Sequence, residues 1–385
     1  MIPYGRQDIN ESDIQAVLEV LRSDFLTQGP VVPTFEKAVS DYCGANYAVA
    51  VNSATSALHI ACLALGVGKG DIVWTSPITF VASANCAIYC GADVDFVDIN
   101  PVTYNMSVDE LSKKLEQAAE MGKLPKVVIP VHFAGQSCEM KKIYDLSLKY
   151  GFNIIEDASH AIGGKYANQE IGSCRYSDIV IFSFHPVKII TTGEGGMALT
   201  NNRELAKKMF LLRSHGITRD EALMHHEFEG PWYYEQISLG YNYRMTEMQA
   251  ALGESQMHGL DEFVDRRHQL SRRYDQSLIN LPVTLPWAIS ESYSAVHLYV
   301  IRLKLNDLKK TRLQVFEELR ANYIAVNVHY IPIHTQPYYR SMGFKPGQFP
   351  QSEKYYSEAI SLPMFSAMTE SQQDNVISAL QKVLQ

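Results

Sequence analysis

Between residues 46 and 200, short runs of apolar and β-branched residues alternate with stretches of helical periodicity. Several runs are apolar throughout, as in Val127–Val131 and Ile179–Phe182, and a strand without a polar face lies in a sheet that is covered on both sides. The pattern therefore predicts a three-layer α/β domain with a mostly parallel sheet of seven strands. The predicted strands are Tyr47–Val51, Ile72–Thr75, Val94–Asp98, Val127–His132, Asn153–Glu156, Ile179–Phe184 and Met197–Thr200, and helices between them include Ser56–Leu65, Ser107–Gln117 and Met140–Tyr150.

The pattern becomes helical from Thr246 to about Leu281, with interspersed charges, which is typical of a long connecting helix. Beyond it, Leu298–Leu303 and Ala325–Val328 are strand-like, whereas Thr311–Asn322 and Glu370–Leu384 are helical. We therefore expect a large domain over residues 1–250 and a smaller C-terminal α+β domain over residues 251–385.

The composition argues against several classes of protein. A formal net charge of -8 without a basic stripe argues against a nucleic-acid partner. No apolar run approaches the roughly 20 residues that cross a bilayer, and residues 1–6 lack the apolar stretch of a signal peptide. The six cysteines contain no CxxC pair, so reduced core cysteines are expected instead of a zinc or disulfide framework. We expect a cytoplasmic protein with no metal site and no membrane partner.

Three segments follow the carboxyl ends of predicted strands, the edge where open α/β sheets bind ligands. In the first, Asn52–Leu58, small and hydroxylated residues open a helix and offer backbone N–H groups to a phosphate. Such residues more often only cap a helix, so this segment alone decides nothing.

The second segment places Asp157 at the exit of an apolar strand, a costly position for a carboxylate without a partner. A protonated pyridine nitrogen is a suitable partner, and the ion pair would keep the ring an electron sink. His160, three residues later, is in a position to reach the ring or its phenolic oxygen. A capping aspartate beside a core histidine is the simpler interpretation of the same two residues.

The third segment ends a strand at Ser183 and places Lys188 five residues later in the apolar stretch Val187–Ile190. Burial lowers the pKa of a lysine and favours the neutral amine that forms Schiff bases. The glycines of Gly193–Gly196 allow tight turns and a close approach of the backbone to a ligand. An isolated lysine is usually a surface residue, but a phosphate-binding helix start, an acid and a lysine in this order form a specific set.

Together these segments resemble the StrS-type sugar-nucleotide aminotransferases, which have the fold-type-I architecture and use pyridoxal 5'-phosphate (PLP). The resemblance continues through Gly240–Glu247 and Val328–His334 and covers essentially the whole chain. It implies that Lys188 forms the Schiff base with PLP and that Asp157 pairs with the pyridine nitrogen. The other residues implied to bind the cofactor are Ala54, Thr55, Ser56, Ser183, Phe80 (stacked on the ring), Asn242 (from a partner subunit) and His160, where many relatives carry glutamine.

The resemblance also implies the substrates. The segments Phe182–Gly196 and Ser214–Ile217 are most similar to the branch of the family that acts in pseudaminic acid biosynthesis. They imply transfer of an amino group from L-glutamate to C4 of a UDP-linked 4-keto-6-deoxy-N-acetyl hexose, by a homodimer with composite active sites. The residues implied to contact the sugar nucleotide are Tyr4, Thr27, Gln28, His329, Tyr330, His334 and Gln336.

Several alternatives are weighed against this interpretation. An aminotransferase acting on another nucleotide-linked keto sugar would carry the same motifs. A PLP-dependent sugar dehydratase of the family would carry histidine in place of Lys188, and a non-catalytic regulator of this fold would not need the pair of Asp157 and Lys188. A dinucleotide-binding oxidoreductase is disfavoured because the loose glycine motif Gly66–Gly70 precedes a strand instead of following one.

Overall fold

The computed structural model describes residues 1–384, and the strands in this range form one large sheet and three small ones. The strands are β1 (Tyr47–Val51), β2 (Ile72–Thr75), β3 (Asp93–Phe96), β4 (Val127–Ile129), β5 (Asn153–Asp157), β6 (Lys165–Tyr166), β7 (Gln169–Glu170), β8 (Ile179–Ser183), β9 (Gly196–Thr200), β10 (Ile217–Thr218), β11 (Glu235–Gln236), β12 (Val283–Thr284), β13 (Ser292–Tyr293), β14 (Tyr299–Leu303) and β15 (Ala359–Leu362). The helices are α1 (Glu11–Arg22), α2 (Val31–Cys43), α3 (Ala54–Ala64), α4 (Ala82–Tyr89), α5 (Val108–Glu120), α6 (Met140–Tyr150), α7 (Arg203–Arg213), α8 (Glu247–Met257), α9 (Leu260–Leu278), α10 (Arg312–Ala321), α11 (Pro337–Ser341), α12 (Pro350–Glu358) and α13 (Glu370–Leu384).

The large sheet has the strand order β1-β9-β8-β5-β4-β2-β3. β9 runs antiparallel to its neighbours β1 and β8, whereas all the other neighbouring pairs are parallel. The carboxyl ends of the six parallel strands therefore lie at one edge of the sheet, together with Gly196, the first residue of β9. This arrangement confirms the predicted α/β fold with a mostly parallel seven-stranded sheet.

Successive side chains of a strand point to opposite sides of the sheet. Helices cover both faces of the large sheet. On one face, residues such as Val49 and Ile181 pack under α3, α4 and α7. On the other face, Ala50 and Phe182 pack against α2, α8 and the start of α9, while Val128 packs under α5 and α6. The result is three layers with the sheet in the middle.

The C-terminal part has its own core. The antiparallel sheet β12-β14-β15 packs against α10, α13 and the second half of α9. Leu260 of α9 belongs to the core of the large sheet, whereas Leu278 belongs to this smaller core. The predicted division after residue 250 falls inside α8, and Ala250 packs in the large core. That boundary stays a prediction, and we propose that the transition between the two units lies within α9.

Two elements differ from the sequence prediction. The helical stretch from Thr246 to about Leu281 is two helices, because the chain leaves α8 at His258 and begins α9 after Gly259. Ala325–Val328 forms no extended strand, and its only ladder contact within the described chain is an isolated bridge between Asn327 and Ser361. None of the helices in residues 1–384 combines the length and the apolar character that a membrane span requires.

Candidate active site

Three backbone segments meet where β1 and β8 end and β9 begins. Gly196 is the register partner of both Val51 and Ser183. A methyl group on Gly196 would lie 2.5 Å from the carbonyl carbon of Ser53 and 2.6 Å from its oxygen, and closer still to the backbone nitrogen of Ala54. The start of α3 therefore approaches the sheet at a distance that only glycine permits, and it lies beside Ser183.

The start of α3 combines a helix cap with free amide groups. Ser53 Oγ accepts the amide hydrogen of Ser56 at 3.1 Å, and the Ser56 hydroxyl donates to Asn52 Oδ1 at 2.7 Å. The amides of Ala54 and Thr55 precede the first intrahelical hydrogen bond and have no acceptor in residues 1–384. Such amides, at the positive end of the helix dipole, favour an anion. The cap therefore uses the hydroxyl groups of Ser53 and Ser56 and leaves the amides of Ala54 and Thr55 free for an anion.

Asp157 ends β5 at the same edge and is only 4% exposed. Its Oδ2 accepts the hydroxyl of Ser83 at 2.6 Å, and its Oδ1 accepts the amide of Ser159 at 3.1 Å. Ser83 is held in turn by Thr79, whose hydroxyl oxygen lies 2.8 Å away. These neutral donors orient the carboxylate but do not neutralise it, so the position favours a cationic ligand group.

Lys188 follows β8 in a turn in which its backbone amide donates to the carbonyl of His185 at 2.8 Å. Burial lowers the pKa of the Lys188 amine to about 8, and the charge of Asp157 only partly offsets this effect. A lysine with this pKa is a nucleophile and a proton acceptor near neutral pH.

His160 lies next to the strand ends and has a protein partner at each ring nitrogen. The backbone amide of Ala134 donates to Nδ1 at 3.3 Å, and the hydroxyl oxygen of Tyr330 lies 3.1 Å from Nε2. Burial, and then the charge of Lys188, hold the pKa of His160 well below its ordinary value. The imidazole is therefore neutral.

The segment that carries Tyr330 comes from the C-terminal part of the chain. It covers the edge of the large sheet at which Asp157 and Ser183 lie. Its neighbour His329 is buried, and His329 Nδ1 lies 2.8 Å from Ser361 Oγ. The ring of Tyr4, from the N-terminal segment, lies 5.2 Å from the His329 ring. Burial, and then Lys188, lower the pKa of His329 to about 4. This wall of the site is therefore uncharged at neutral pH.

His334 is not in the predicted place. Its side chain is completely buried, with Nε2 2.9 Å from Glu353 Oε1 and its ring 4.8 Å from the ring of Phe349. A side chain without exposed surface cannot contact a sugar nucleotide, so this prediction is wrong. The prolines that bracket His334 do fix the loop, but they turn the histidine inward.

Other predicted residues lie at the surface. Phe80 is 59% exposed and its ring lies 6.5 Å from that of Tyr330, so one of its faces is open to a ligand. Asn242 is exposed, and Gln336 is half-buried directly before α11. Thr27 and Gln28 are exposed on the segment before α2. The roles of these residues stay predictions.

Two polar residues that support the site are not singled out by the sequence. Ser83 orients Asp157. The only sequence feature that could have indicated this role is a second hydroxyl residue, Thr79, four positions earlier, with which Ser83 forms a hydrogen bond. Glu247 is fully buried and accepts the amides of Gly29 and Val31 at 3.0 and 2.6 Å. It fixes the exposed segment that carries the predicted substrate residues, but at sequence level it reads only as an acid in the first turn of α8.

The donor set fits PLP. The two free amides of α3 and the Ser183 hydroxyl, which makes no hydrogen bond within residues 1–384, suit a phosphate. Asp157 suits the protonated pyridine nitrogen, and Lys188 suits the aldehyde carbon. The open face of Phe80 suits the aromatic ring.

Comparison with known proteins leads to the same chemistry. The model of the DegT/DnrJ/EryC1/StrS aminotransferase family matches residues 7–381. The chain is 37% identical to the UDP-4-amino-4,6-dideoxy-N-acetyl-β-L-altrosamine transaminase of Campylobacter jejuni, over 100% of this chain and 98% of the relative. It is 36% identical to the GDP-perosamine synthase of Caulobacter vibrioides, over 98% and 96% of the two chains. The structure of Helicobacter pylori PseC, an aminotransferase involved in the biosynthesis of pseudoaminic acid, matches with a TM-score of 0.91 and 30% identity, over 100% of this chain and 99% of that one. The chain therefore belongs to the DegT/DnrJ/EryC1/StrS aminotransferase family and is a PLP-dependent sugar aminotransferase of fold type I.

Proposed function

We propose that this enzyme transfers the amino group of L-glutamate to C4 of a UDP-linked 4-keto-6-deoxy-N-acetyl hexose, giving UDP-4-amino-4,6-dideoxy-N-acetyl-β-L-altrosamine. The observation that carries the chemistry is the meeting of Lys188, Asp157 and the start of α3 at one edge of the sheet. The identity of the sugar is supported by the names of the Campylobacter and Helicobacter relatives. The perosamine synthase relative supports the alternative, an aminotransferase for a different nucleotide-linked keto sugar.

Each residue at the sheet edge has a distinct task in this proposal. PLP, when bound, supplies the electron sink for charge that develops on the carbon bearing the amino group. Asp157, oriented by Ser83, holds a proton on the pyridine nitrogen. The Lys188 amine takes the proton from the carbon that bears the amino group and returns it in the reverse direction. Its lowered pKa suits this role. The α3 amides and Ser183 bind the phosphate and so fix the position of the reacting atoms.

We also propose a homodimer whose active sites are shared between subunits. Asn242 is exposed and its side chain makes no hydrogen bond within the described residues. The flanking rings of Tyr241 and Tyr243 stack at 4.9 Å with an interplanar angle of 12°, and Thr246 starts α8 with a capping box. The loop is therefore rigid and holds Asn242 outward, where a second copy of the chain can place its phosphate site against it.

Subunit mixing tests this shared site. Inactive Lys188→Ala chains are combined with inactive Asn242→Ala chains under exchange conditions, and turnover is measured. If Asn242 acts on the partner's site, each mixed dimer has one site with both defects and one site with neither, so about a quarter of the wild-type activity returns for random pairing. If Asn242 acts within its own chain, every site keeps a defect and the mixture stays inactive.

The substrate is tested with glutamate and a panel of UDP-, GDP- and dTDP-linked 4-keto-6-deoxy sugars, with products identified by mass and NMR. Turnover of the UDP-linked N-acetyl sugar, with the configuration at C4 of the product assigned by NMR as that of the altrosamine, establishes the proposed product. Turnover restricted to a GDP- or dTDP-linked sugar contradicts the proposed substrate but leaves the aminotransferase chemistry intact. Loss of water from the sugar without amino transfer would indicate the dehydratase alternative.

A further inference from the structure

Three of the six cysteines come together where α3 packs against α4. Cys62 lies in α3, whereas Cys86 lies in α4 and Cys90 is the residue that ends it. Residues four positions apart share one face of a helix, so Cys86 and Cys90 are neighbours. The thiol of Cys62 is within hydrogen-bonding reach of both. Cys62 and Cys86 are completely buried and Cys90 is half-buried, so solvent reaches the cluster at Cys90.

The hydrogen bonds of the cluster give its three thiols different states. The Cys86 thiol donates to the carbonyl of Ser83 at 3.4 Å, so its hydrogen is engaged within α4. A hydrogen bond from Cys62, and also the His59 imidazole, lower the pKa of the Cys90 thiol to about 6, although burial opposes them. Hydrogen bonds to Cys86 and Cys90, and then burial, raise the pKa of Cys62 well above its ordinary value. Cys90 is therefore the nucleophilic thiolate, and Cys62 keeps its proton.

His59 is a second, independent sign that an anionic group belongs at this place. It is only 5% exposed and lies one turn before Cys62 on α3. Its Nδ1 is 3.1 Å from the hydroxyl oxygen of Tyr243, whereas its Nε2 is buried and makes no hydrogen bond to nitrogen or oxygen within residues 1–384. A buried polar atom without a partner is costly. A thiolate at Cys90, beside the ring, gives this nitrogen its acceptor.

We propose that Cys90 is an oxidation site, at which a hydroperoxide converts the thiolate to a sulfenic acid and Cys62 then closes a disulfide between α3 and α4. In the first step the Cys90 sulfur attacks a peroxide oxygen, the O–O bond breaks, and the other oxygen leaves and takes up a proton. In the second step the Cys62 sulfur attacks the Cys90 sulfur, the S–O bond breaks, and the Cys62 proton leaves with the hydroxide as water. Two thiols and hydrogen peroxide thus give one disulfide and two waters, and the two electrons lost by the sulfurs reduce the peroxide.

The two helices that the disulfide joins carry parts of the cofactor site. α3 begins with the free amides of Ala54 and Thr55, and α4 carries Ser83, which orients Asp157. The sulfurs have to approach to bonding distance, so α3 and α4 must shift relative to each other. Such a shift displaces the phosphate donors or the carboxylate, and oxidation is therefore expected to weaken PLP binding.

The loop proposed to reach the partner subunit rests on the same cluster. The ring of His59 lies 4.8 Å from that of Tyr241, and His59 Nδ1 meets the Tyr243 hydroxyl. These two tyrosines flank Asn242, so a displacement of His59 also disturbs this loop. The effect through Asn242 rests on the proposed shared site, whereas the thiol chemistry and the effect through α3 and α4 need neither the dimer nor a particular sugar.

The test uses the holoenzyme and hydrogen peroxide. The treated protein is alkylated and digested, and mass spectrometry is expected to find a peptide pair joined through Cys62 and Cys90. In Cys62→Ser, the sulfenic acid of Cys90 should accumulate and be trapped by dimedone. Oxidation of the wild type is expected to raise the Kd for PLP by roughly 5- to 10-fold, and dithiothreitol should restore the original value.

Two variants and one measurement on the wild type complete the test. Cys86→Ser is the matched control, because serine keeps a donor for the Ser83 carbonyl, and it should respond to peroxide as the wild type does. Cys90→Ser should bind PLP normally and be insensitive to peroxide. Alkylation of Cys90 by iodoacetamide in the wild type should reach half its maximal rate near pH 6.

Three results would overturn the inference. The first is an alkylation rate that rises only above about pH 8, as for an ordinary thiol. The second is a disulfide that runs through Cys86 in place of Cys90, and the third is a disulfide between Cys62 and Cys90 that leaves the Kd for PLP unchanged. Failure of the UDP-sugar assignment shows up in the substrate panel alone, because none of these readouts uses a sugar.

Discussion

Gly196→Ala is the perturbation that best tests how the cofactor site is built. Gly196 begins β9 in the interior of the large sheet, between Val51 of β1 and Ser183 of β8. The three atoms nearest to the added methyl group all belong to the backbone of Ser53 and Ala54. Because β9 is paired on both sides, the start of α3 has to move. That movement takes the free amides of Ala54 and Thr55 away from Ser183.

The cost follows from the contacts. Distances of 2.5 and 2.6 Å to the carbonyl of Ser53 are well below normal van der Waals separation and involve no flexible side chain. Overpacking of this kind costs about 1–3 kcal/mol. Phosphate binding requires α3 to return to its original position, so the same strain opposes binding and should raise the Kd for PLP by roughly 5- to 150-fold.

The assay is a PLP titration of the apoprotein, combined with unfolding measurements with and without cofactor. At a concentration of 100 times the wild-type Kd, the cofactor stabilises the wild-type fold by about 2.7 kcal/mol, and a 10-fold higher Kd reduces this gain to about 1.4 kcal/mol. Gly68→Ala is the control, because a methyl group there meets nothing within 4 Å. If Gly196→Ala loses stability but binds PLP with the wild-type Kd, the assignment of the phosphate site to the start of α3 is refuted.

The remaining predictions concern the two ionisable residues of the cofactor site. Lys188→Ala should lower transamination by orders of magnitude with an unchanged circular dichroism spectrum, and turnover within 10-fold of wild type would contradict the assignment. Asp157→Asn should slow the glutamate half-reaction severely, because an amide cannot hold the proton on the pyridine nitrogen, and a near-normal rate would show that Asp157 only caps its turn. Lys188→Met should stabilise the apoprotein at neutral pH by up to about 3 kcal/mol, because the folded protein holds the protonated lysine at a cost. This gain should fade as the pH rises from about 8 to above 10, where the unfolded lysine also loses its proton, and urea unfolding at several pH values measures it.

The strands of the large sheet could be located from the sequence because most of their residues are buried. Tyr47–Val51 and Ile72–Thr75 match β1 and β2 at both ends, and β5, β8 and β9 differ by one residue. The strand ends then place Asp157 and Ser183 at one edge through topology alone. The helix expected from Thr246 was less well defined, because helical periodicity continues past Gly259 and does not show where the chain leaves α8.

Contacts between distant segments were beyond the reach of the sequence. His160 and Tyr330 are 170 residues apart, and nothing local to either residue indicates that they share a hydrogen bond. Ser83 is 74 residues from Asp157 and reads as an ordinary helix residue. The error at His334 has a similar origin: a loop bracketed by proline is rigid, but rigidity does not specify whether the side chain points to the cleft or to Glu353.

The site divides its two tasks between parts of the chain with different physical constraints. The groups assigned to PLP lie at the ends of strands and at the start of α3, where any shift meets close-packed backbone, as at Gly196. The groups assigned to the sugar lie on the N-terminal segment around Tyr4, on the loop that Glu247 anchors, and on the segment of Tyr330. Loops of this kind accept substitutions that the sheet edge cannot. Relatives at 37% and 36% identity that are named for different nucleotide sugars are consistent with this division, because the acceptor can change through the loops while the cofactor chemistry stays in place.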